Sequence, residues 1–298
     1  MTSGIEQFPR RWMIARGGDG RSAATSLAAV STTAPEAMAA RFRAARAGRE
    51  EAVLEGFHAL KHALRFGADV RLVAAADPEA LERLATALAP DLAGAFRSRA
   101  QLVDRAVLAQ LAPRTPSTRV VAIARRPAVD AAAVLAGTAG PVVLLEDPRH
   151  LGNVGAVVRV AAAAGAAGVV TTGARDPWDA AALRGSAGLH FALPVARLGE
   201  EDGEAAAGPL RATPAVAPLA ALPAGRPLVA LDPGGERLRP GAIPSGSILA
   251  FGTERHGLSD AVLGRATARL AIPMRPGVSS LNLATAVAVV LYAAAPAP

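Results

Sequence analysis

The chain has no cysteine, which removes disulfides, zinc–thiolate sites and a thiol nucleophile from the possible chemistries. Its five histidines are not read as a metal site, so no metal is expected. Lysine is nearly absent as well. Of 32 basic residues, Lys61 is the one lysine, and the formal charge of +7 is therefore carried almost wholly by arginine. A guanidinium stays protonated and meets phosphate through two parallel N–H donors, so the balance suits a polyanionic partner; a solvated arginine-rich surface accounts for it equally well. Long apolar runs are missing too. The best candidate span, Leu281 to Ala295, is shorter than the ~20 residues a bilayer requires and is interrupted by Asn282. Near the N-terminus Arg10, Arg11 and Arg16 are followed by no apolar stretch, which argues against secretory or twin-arginine export and for a reducing cytoplasm. The dinucleotide fingerprint G-x-G-x-x-G is absent: Gly152, Gly155, Gly165 and Gly168 stand at i, i+3, i+13 and i+16, which sets an oxidoreductase aside.

A chain of 298 residues with 51% hydrophobic content is long enough for two cores. Residues 1–49 read as a basic tail ending in a short helix, with Arg41, Arg43, Arg46 and Arg49 set around Met38 and Phe42; this helix lies on RNA or is simply solvated. From 50 to 126 strands and helices alternate. Strands are expected at 52–54, 70–75 and 120–123, and helices at 57–66, 78–88 and 99–111. Residues 127–140, between Pro127 and Pro141, read as a linker or short helix. Beyond it, apolar runs at 142–146, 169–172, 228–231, 248–251 and 270–272 are continuous rather than alternating, as in parallel strands covered on both faces. Residues 200–218 read as a surface excursion.

Three runs in residues 141–298 carry polar side chains at the ends of these strands, where α/β proteins place ligand sites. The first is Gly152-Asn153-Val154-Gly155-Ala156-Val157-Val158-Arg159, with Asn153 at a helix start and Arg159 alone among Val and Ala. Asn153 reads as an N-cap or a ligand contact. The second is Phe251-Gly252-Thr253-Glu254-Arg255-His256-Gly257-Leu258, in which glycines let main-chain groups approach a ligand and Glu254 accepts hydrogen bonds; Ser259 or Asp260 caps the following helix. The third is Ile272-Pro273-Met274 followed by Ser280-Leu281-Asn282-Leu283. Here Ser280 opens the last helix, and Asn282, two residues into an apolar run, requires a partner.

In order and spacing the three runs resemble the motifs of the SpoU/TrmH family of RNA ribose methyltransferases, over about residues 140–295. The resemblance implies an α/β fold: a SPOUT-type parallel sheet with a C-terminal trefoil knot over 141–298, preceded by a small L30e-like RNA-substrate-binding domain over 50–126. It further implies S-adenosylmethionine as cofactor, held around Leu231, Gly252, Ile272, Met274 and Leu281. Arg159, Asn153, Glu254, Ser280 and Asn282 would then serve the reaction centre. The implied activity is 2′-O-methylation of RNA by a homodimer, with ribosomal RNA as substrate because of the added L30e-like domain. Transfer RNA and a non-catalytic RNA-binding paralogue are the alternatives.

Overall fold

The computed structural model describes residues 35–199, 222–253, 256–278 and 280–294. The expected tail up to residue 34 and the excursion at 200–218 lie outside the described residues, as do Glu254 and Arg255.

The first sheet has four strands in the order β1-β4-β2-β3, formed by Glu51–Glu55, Val70–Ala75, Ala100–Leu102 and Val120–Arg125 in chain order. Strand β4 runs antiparallel to both β1 and β2, while β3 pairs parallel to β2 at the edge. Helix α1 (Pro35–Ala47) turns Met38, Ala39, Phe42 and Ala45 into this unit. Its arginines are largely committed to holding it there. Arg41 makes a two-pronged ion pair with Glu51, and Arg46 pairs with the Glu55 carboxylate and donates to the Leu111 carbonyl. Helix α2 (Phe57–Arg65) follows Gly56, whose φ of 91° suits glycine, and α3 (Pro78–Leu88) is capped by Asp77, which accepts the Ala80 N–H. The single helix expected over 99–111 is instead α4 (Ala93–Arg99), strand β3 and α5 (Arg105–Leu111). The sequence Ala100-Gln101-Leu102 is too short for periodicity to register as a strand, yet β2 offers it a parallel partner.

After α6 (Ala131–Ala136), six parallel strands form the second sheet in the order β10-β8-β9-β5-β6-β7. Strand β5 (Val142–Leu145) and β6 (Gly168–Thr171) lie side by side, followed at the edge by β7 (Val195–Arg197). Strand β9 (Ile248–Phe251) pairs with β5 and with β8 (Leu228–Arg237), and β10 (Ala268–Ala271) closes the far edge against β8. Strands β5, β6 and β9 are buried along their whole length, as continuous apolar runs in a doubly covered sheet demand. Strand β8 extends beyond the expected 228–231. Residues past Leu231 loop outward, and pairing with β10 resumes at Glu236, so the register jumps between Arg269 and Leu270. Gly235 permits this, since a Cβ there would lie 2.5 Å from the Arg269 backbone. Helices α7 (Leu151–Ala163), α8 (Ala180–Gly185), α9 (Asp260–Arg265) and α10 (Leu283–Ala294) complete the unit.

Each sheet buries a cluster of its own, around Phe42 and Ile123 in the first and around Leu144 and Ala250 in the second, and the two share a third. That third cluster runs from Leu54, Phe57 and Leu60 to Val154, Val158 and Leu183. Around its edge, Arg184 on α8 meets Glu55, Arg126 meets Asp176 at 2.7 Å, and His62 Nδ1 lies 2.7 Å from the Ala187 carbonyl. At Gly188 (φ 80°) a Cβ would stand 2.4 Å from the Ala59 carbonyl oxygen. The turn over 186–191 is held by His190, which is fully buried. Its Nε2 donates to the Pro177 carbonyl at 2.8 Å, leaving Nδ1 to accept from the Ser186 hydroxyl at 2.7 Å, and the ring packs on Trp178.

Burial lowers the His190 pKa to about 4 from 6.5. Above pH 6.5 the ring is neutral in both folded and unfolded chains; as pH falls, the unfolded chain takes up the proton first, and stability is lost until the folded ring also protonates near pH 4. The cost reaches roughly 2–3 kcal/mol by pH 4.5. Urea titrations at pH 7.5 and 4.5 should show this loss in the wild type and a smaller one in His190→Gln; an equal loss in both would place the acid sensitivity elsewhere.

Candidate active site

The site lies at the carboxyl ends of β5, β8, β9 and β10, where three loops meet. Helix α7 begins at Leu151 with His150 at the N-cap position, so Asn153 sits inside the first turn and is not the cap. Its side chain instead receives a hydrogen bond from the third loop: Asn282 Nδ2 donates to Asn153 Oδ1 at 3.2 Å. The last helix starts at Leu283, not at Ser280. Asn282 is its cap, with Oδ1 accepting the N–H groups of Ala284 at 2.9 Å and Thr285 at 3.4 Å. One amide side chain thus serves two purposes: its oxygen closes α10, and its nitrogen ties that helix to α7.

The second loop is a tight return. Thr253 and Gly257 exchange backbone hydrogen bonds of 3.1 and 3.0 Å, and the loop folds back onto Gly252, where a Cβ would lie 2.0 Å from the Gly257 carbonyl carbon. Glycine at 252 is therefore required by the chain's own fold. Beneath the loop is a buried carboxylate, Glu146, at the end of β5. It accepts the Ser259 N–H at 2.7 Å and the Ser259 hydroxyl at 2.6 Å, while its own N–H donates to the Phe251 carbonyl. Ser259 Oγ also caps α9 by accepting the Val262 N–H. In sequence Glu146 is only the last residue of an apolar run, and its signal is a carboxylate following four residues that are buried in the sheet.

In the third loop, residues 272–278 and 280–282 belong to no helix or strand. Ile272 and Met274 are partly buried, whereas Ser280 is exposed and Leu281 and Val278 keep 38% and 49% of their surface. Leu231 is the last residue of β8 paired with β9, opposite Phe251. Leu231, Gly252 and Ile272 therefore cluster at neighbouring strand ends. Arg159 does not join the Asn153–Asn282 pair. Six residues further along α7, it lies about 9 Å up the axis and about 120° around it, exposed to solvent. Glu254 is not among the described residues. Among those that are, no group of acidic or histidine side chains is placed to hold a metal ion, and no helix is long and apolar enough to cross a membrane.

Residues 140–292 match the model of the SpoU rRNA methylase family, which is more than half of the chain. The chain belongs to this family. Among curated relatives, the 23S rRNA (adenosine(1067)-2′-O)-methyltransferase of Streptomyces laurentii is 31% identical over 196 residues, covering 65% of this chain and 68% of the relative. A solved RNA 2′-O ribose methyltransferase matches with a TM-score of 0.65 at 25% identity, over 89% of this chain and 96% of its own. The SpoU methyltransferase AviRb of Streptomyces viridochromogenes, solved in complex with AdoMet, shares the fold with a TM-score of 0.64 at 24% identity, over 87% and 97%.

Gly155 of the first motif has a packing role that sequence alone did not reveal. Helix α8 crosses α7 at backbone contact, and a Cβ on Gly155 would lie 2.1 Å from the Ala182 carbonyl oxygen; one on Gly185 would lie 2.9 Å from that of Gly152. A methyl group cannot enter without separating the helices. Gly155→Ala should lower stability by about 1–3 kcal/mol, measured by urea unfolding, whereas Gly152→Ala, whose Cβ would meet nothing within 4 Å, should cost less than half as much. Equal losses would show that the crossing is not what requires glycine at 155.

Proposed function

We propose that the chain transfers the methyl group of S-adenosylmethionine to a ribose 2′-hydroxyl of ribosomal RNA. The observation that carries this reading is the Asn282–Asn153 hydrogen bond, which joins the first and third SpoU motifs at the strand ends. The family match and the 23S rRNA activity named for relatives such as that of S. laurentii support the substrate class.

The residues present fit the cofactor. An adenosine needs main-chain donors and acceptors at its base edge and apolar surface on its faces. The strand-end loops supply backbone groups at Leu231, Gly252, Ile272, Met274 and Leu281, and the exposed side chains of Val278 and Leu281 are apolar surface that a bound ligand would cover. When bound, S-adenosylmethionine supplies an electrophilic methyl group on a positively charged sulfur. The protein's task is to align the attacking oxygen with that carbon and to dispose of the hydroxyl proton. Asn153, Asn282 and Ser280 are assigned to hold the ribose, with Glu254 as a further acceptor. A guanidinium holds its protons too firmly to serve as a base, so Arg159 is assigned to stabilise the developing alkoxide or clamp the adjacent phosphate.

We further read residues 50–126 as an L30e-like RNA-binding unit, 127–140 as the linker and 141–298 as the methyltransferase domain, working in the cytoplasm where its substrate resides. A C-terminal trefoil knot is supported by the order β10-β8-β9, in which the chain crosses from one side of β8 to the other. A homodimer through α10 is supported by the exposure of Val289 and Tyr292 opposite a face that packs on α7.

Incubation of the protein with methyl-labelled S-adenosylmethionine and an unmodified 23S rRNA transcript should yield one ribose resistant to alkaline cleavage; no transfer at saturating cofactor would overturn the assignment. Arg159→Ala should reduce the single-turnover rate by about 10²–10³ with cofactor affinity unchanged, and Arg159→Lys should restore little, since a point charge does not replace a planar fork.

Asn282 separates structure from chemistry. Asn282→Asp keeps the oxygen that caps α10 but loses the donor to Asn153, so melting temperature should hold while methyl transfer falls at least roughly tenfold; Asn282→Ala should lose about 1 kcal/mol of stability as well. Full activity in Asn282→Asp would remove that hydrogen bond from the site.

A further inference from the structure

The interface between the two sheets is built from a reciprocal pair of ionic contacts. The first unit provides Glu55, at the end of β1, and Arg126, just after β4; the second provides Arg184 on α8 and Asp176 in the turn before it. Each unit thus contributes one cation and one anion. Both contacts are anchored beyond their own partners. Glu55, whose side chain is 2% exposed, also takes Arg46 of α1 at 3.0 Å. Arg126, 10% exposed, donates to the Glu51 carbonyl at 2.8 Å, and Asp176 uses its second oxygen to accept the Trp178 N–H. Between them, His62 faces the Ala187 carbonyl and Ala59 fills the space above Gly188.

Helix α8 therefore has two neighbours at contact distance. On one side it carries Arg184 to Glu55; on the other its backbone touches α7 at Gly155, the helix that bears Asn153 and Arg159. We propose that Glu55–Arg184 and Arg126–Asp176 are positioning pairs that fix the first unit against α8, so that RNA gripped by the first unit is presented to α7 in one register and a single ribose is methylated. This rests on the RNA-binding reading of residues 50–126. A freely tethered unit would raise the local RNA concentration without choosing a nucleotide, because a flexible linker sets effective concentration and not orientation. A rigid one acts as a ruler, and small misplacements of reacting groups cost large factors in rate.

The test uses the full chain carrying Asp176→Asn together with Arg184→Gln. Both changes remove charge from the second unit, leave Glu55 with Arg46, and keep an oxygen at 176 for Trp178. Three quantities are read: hydrogen exchange over 184–190, affinity for an unmodified 23S rRNA transcript and for S-adenosylmethionine, and the map of 2′-O-methyl positions. The expected result is faster exchange, both affinities within about threefold of wild type, kcat/KM on the transcript lowered at least about tenfold, and methylation spread to flanking nucleotides. The single variant Arg184→Lys, which keeps the charge, should restore one position. Faster exchange with unchanged rate and position would overturn the proposal, and so would unchanged exchange, since the ion pairs would then not hold the interface. Crosslinking of the transcript to wild-type protein tests the underlying reading separately: crosslinks confined to residues 141–294 would remove the first unit as the RNA grip.

Discussion

The contact on which the site depends is the crossing of α7 and α8 at Gly155 and Gly185, where two helix backbones touch with no side chain between them. Such an approach fixes the angle and height of α7 far more tightly than layers of Val and Ala would, because rotamers cannot absorb an error between two backbones. Everything polar in the first motif is placed by it. Asn153 meets Asn282 because α7 enters at that height, and α10 in turn is started by the same Asn282. The glycine-rich motif is thus a packing device whose product is the orientation of two polar side chains.

The same pair of helices belongs to the core that the two sheets share. Helix α8 has only six residues, too few to be stable alone, and it survives between α7 and the first unit. Removing residues 35–126 would cut through the shared apolar cluster and leave Arg184 and Asp176 without the ion-pair partners Glu55 and Arg126. Short helices of this kind are where a composite interface is most economical, since both faces are buried against structure formed elsewhere.

Much of this was legible in the sequence. Continuous apolar runs declared β5, β6 and β9 because a doubly covered strand needs no alternation, and the three motifs pointed to loops that the fold brings to neighbouring strand ends. What escaped was whatever is decided by a partner far away in the chain. Strand β3 exists because β2 offers an edge, and Glu146 is satisfied by Ser259, 113 residues on. The start of α10 at Leu283 depends on a cap, Asn282, that lies two residues beyond Ser280, a serine of equally good propensity. Periodicity carries no information on any of these.

The arginines show how far composition alone misleads. A charge of +7 invites a polyanion over the whole surface, yet Arg41, Arg46, Arg126 and Arg184 are engaged with carboxylates of the fold. Arg226 is committed differently: it is buried, and its guanidinium donates to the carbonyls of Leu135, Gly140 and Gly246, with burial lowering its pKa. Five fixed donors allow one arginine to bond three separate segments at once, which a lysine ammonium, more strongly hydrated and without a planar fork, does less well. A chain with a single lysine and extensive interlocking loops therefore uses arginine first as internal mortar. What it presents to RNA is the remainder, and the electrostatic footprint is narrower and more directional than the net charge implies.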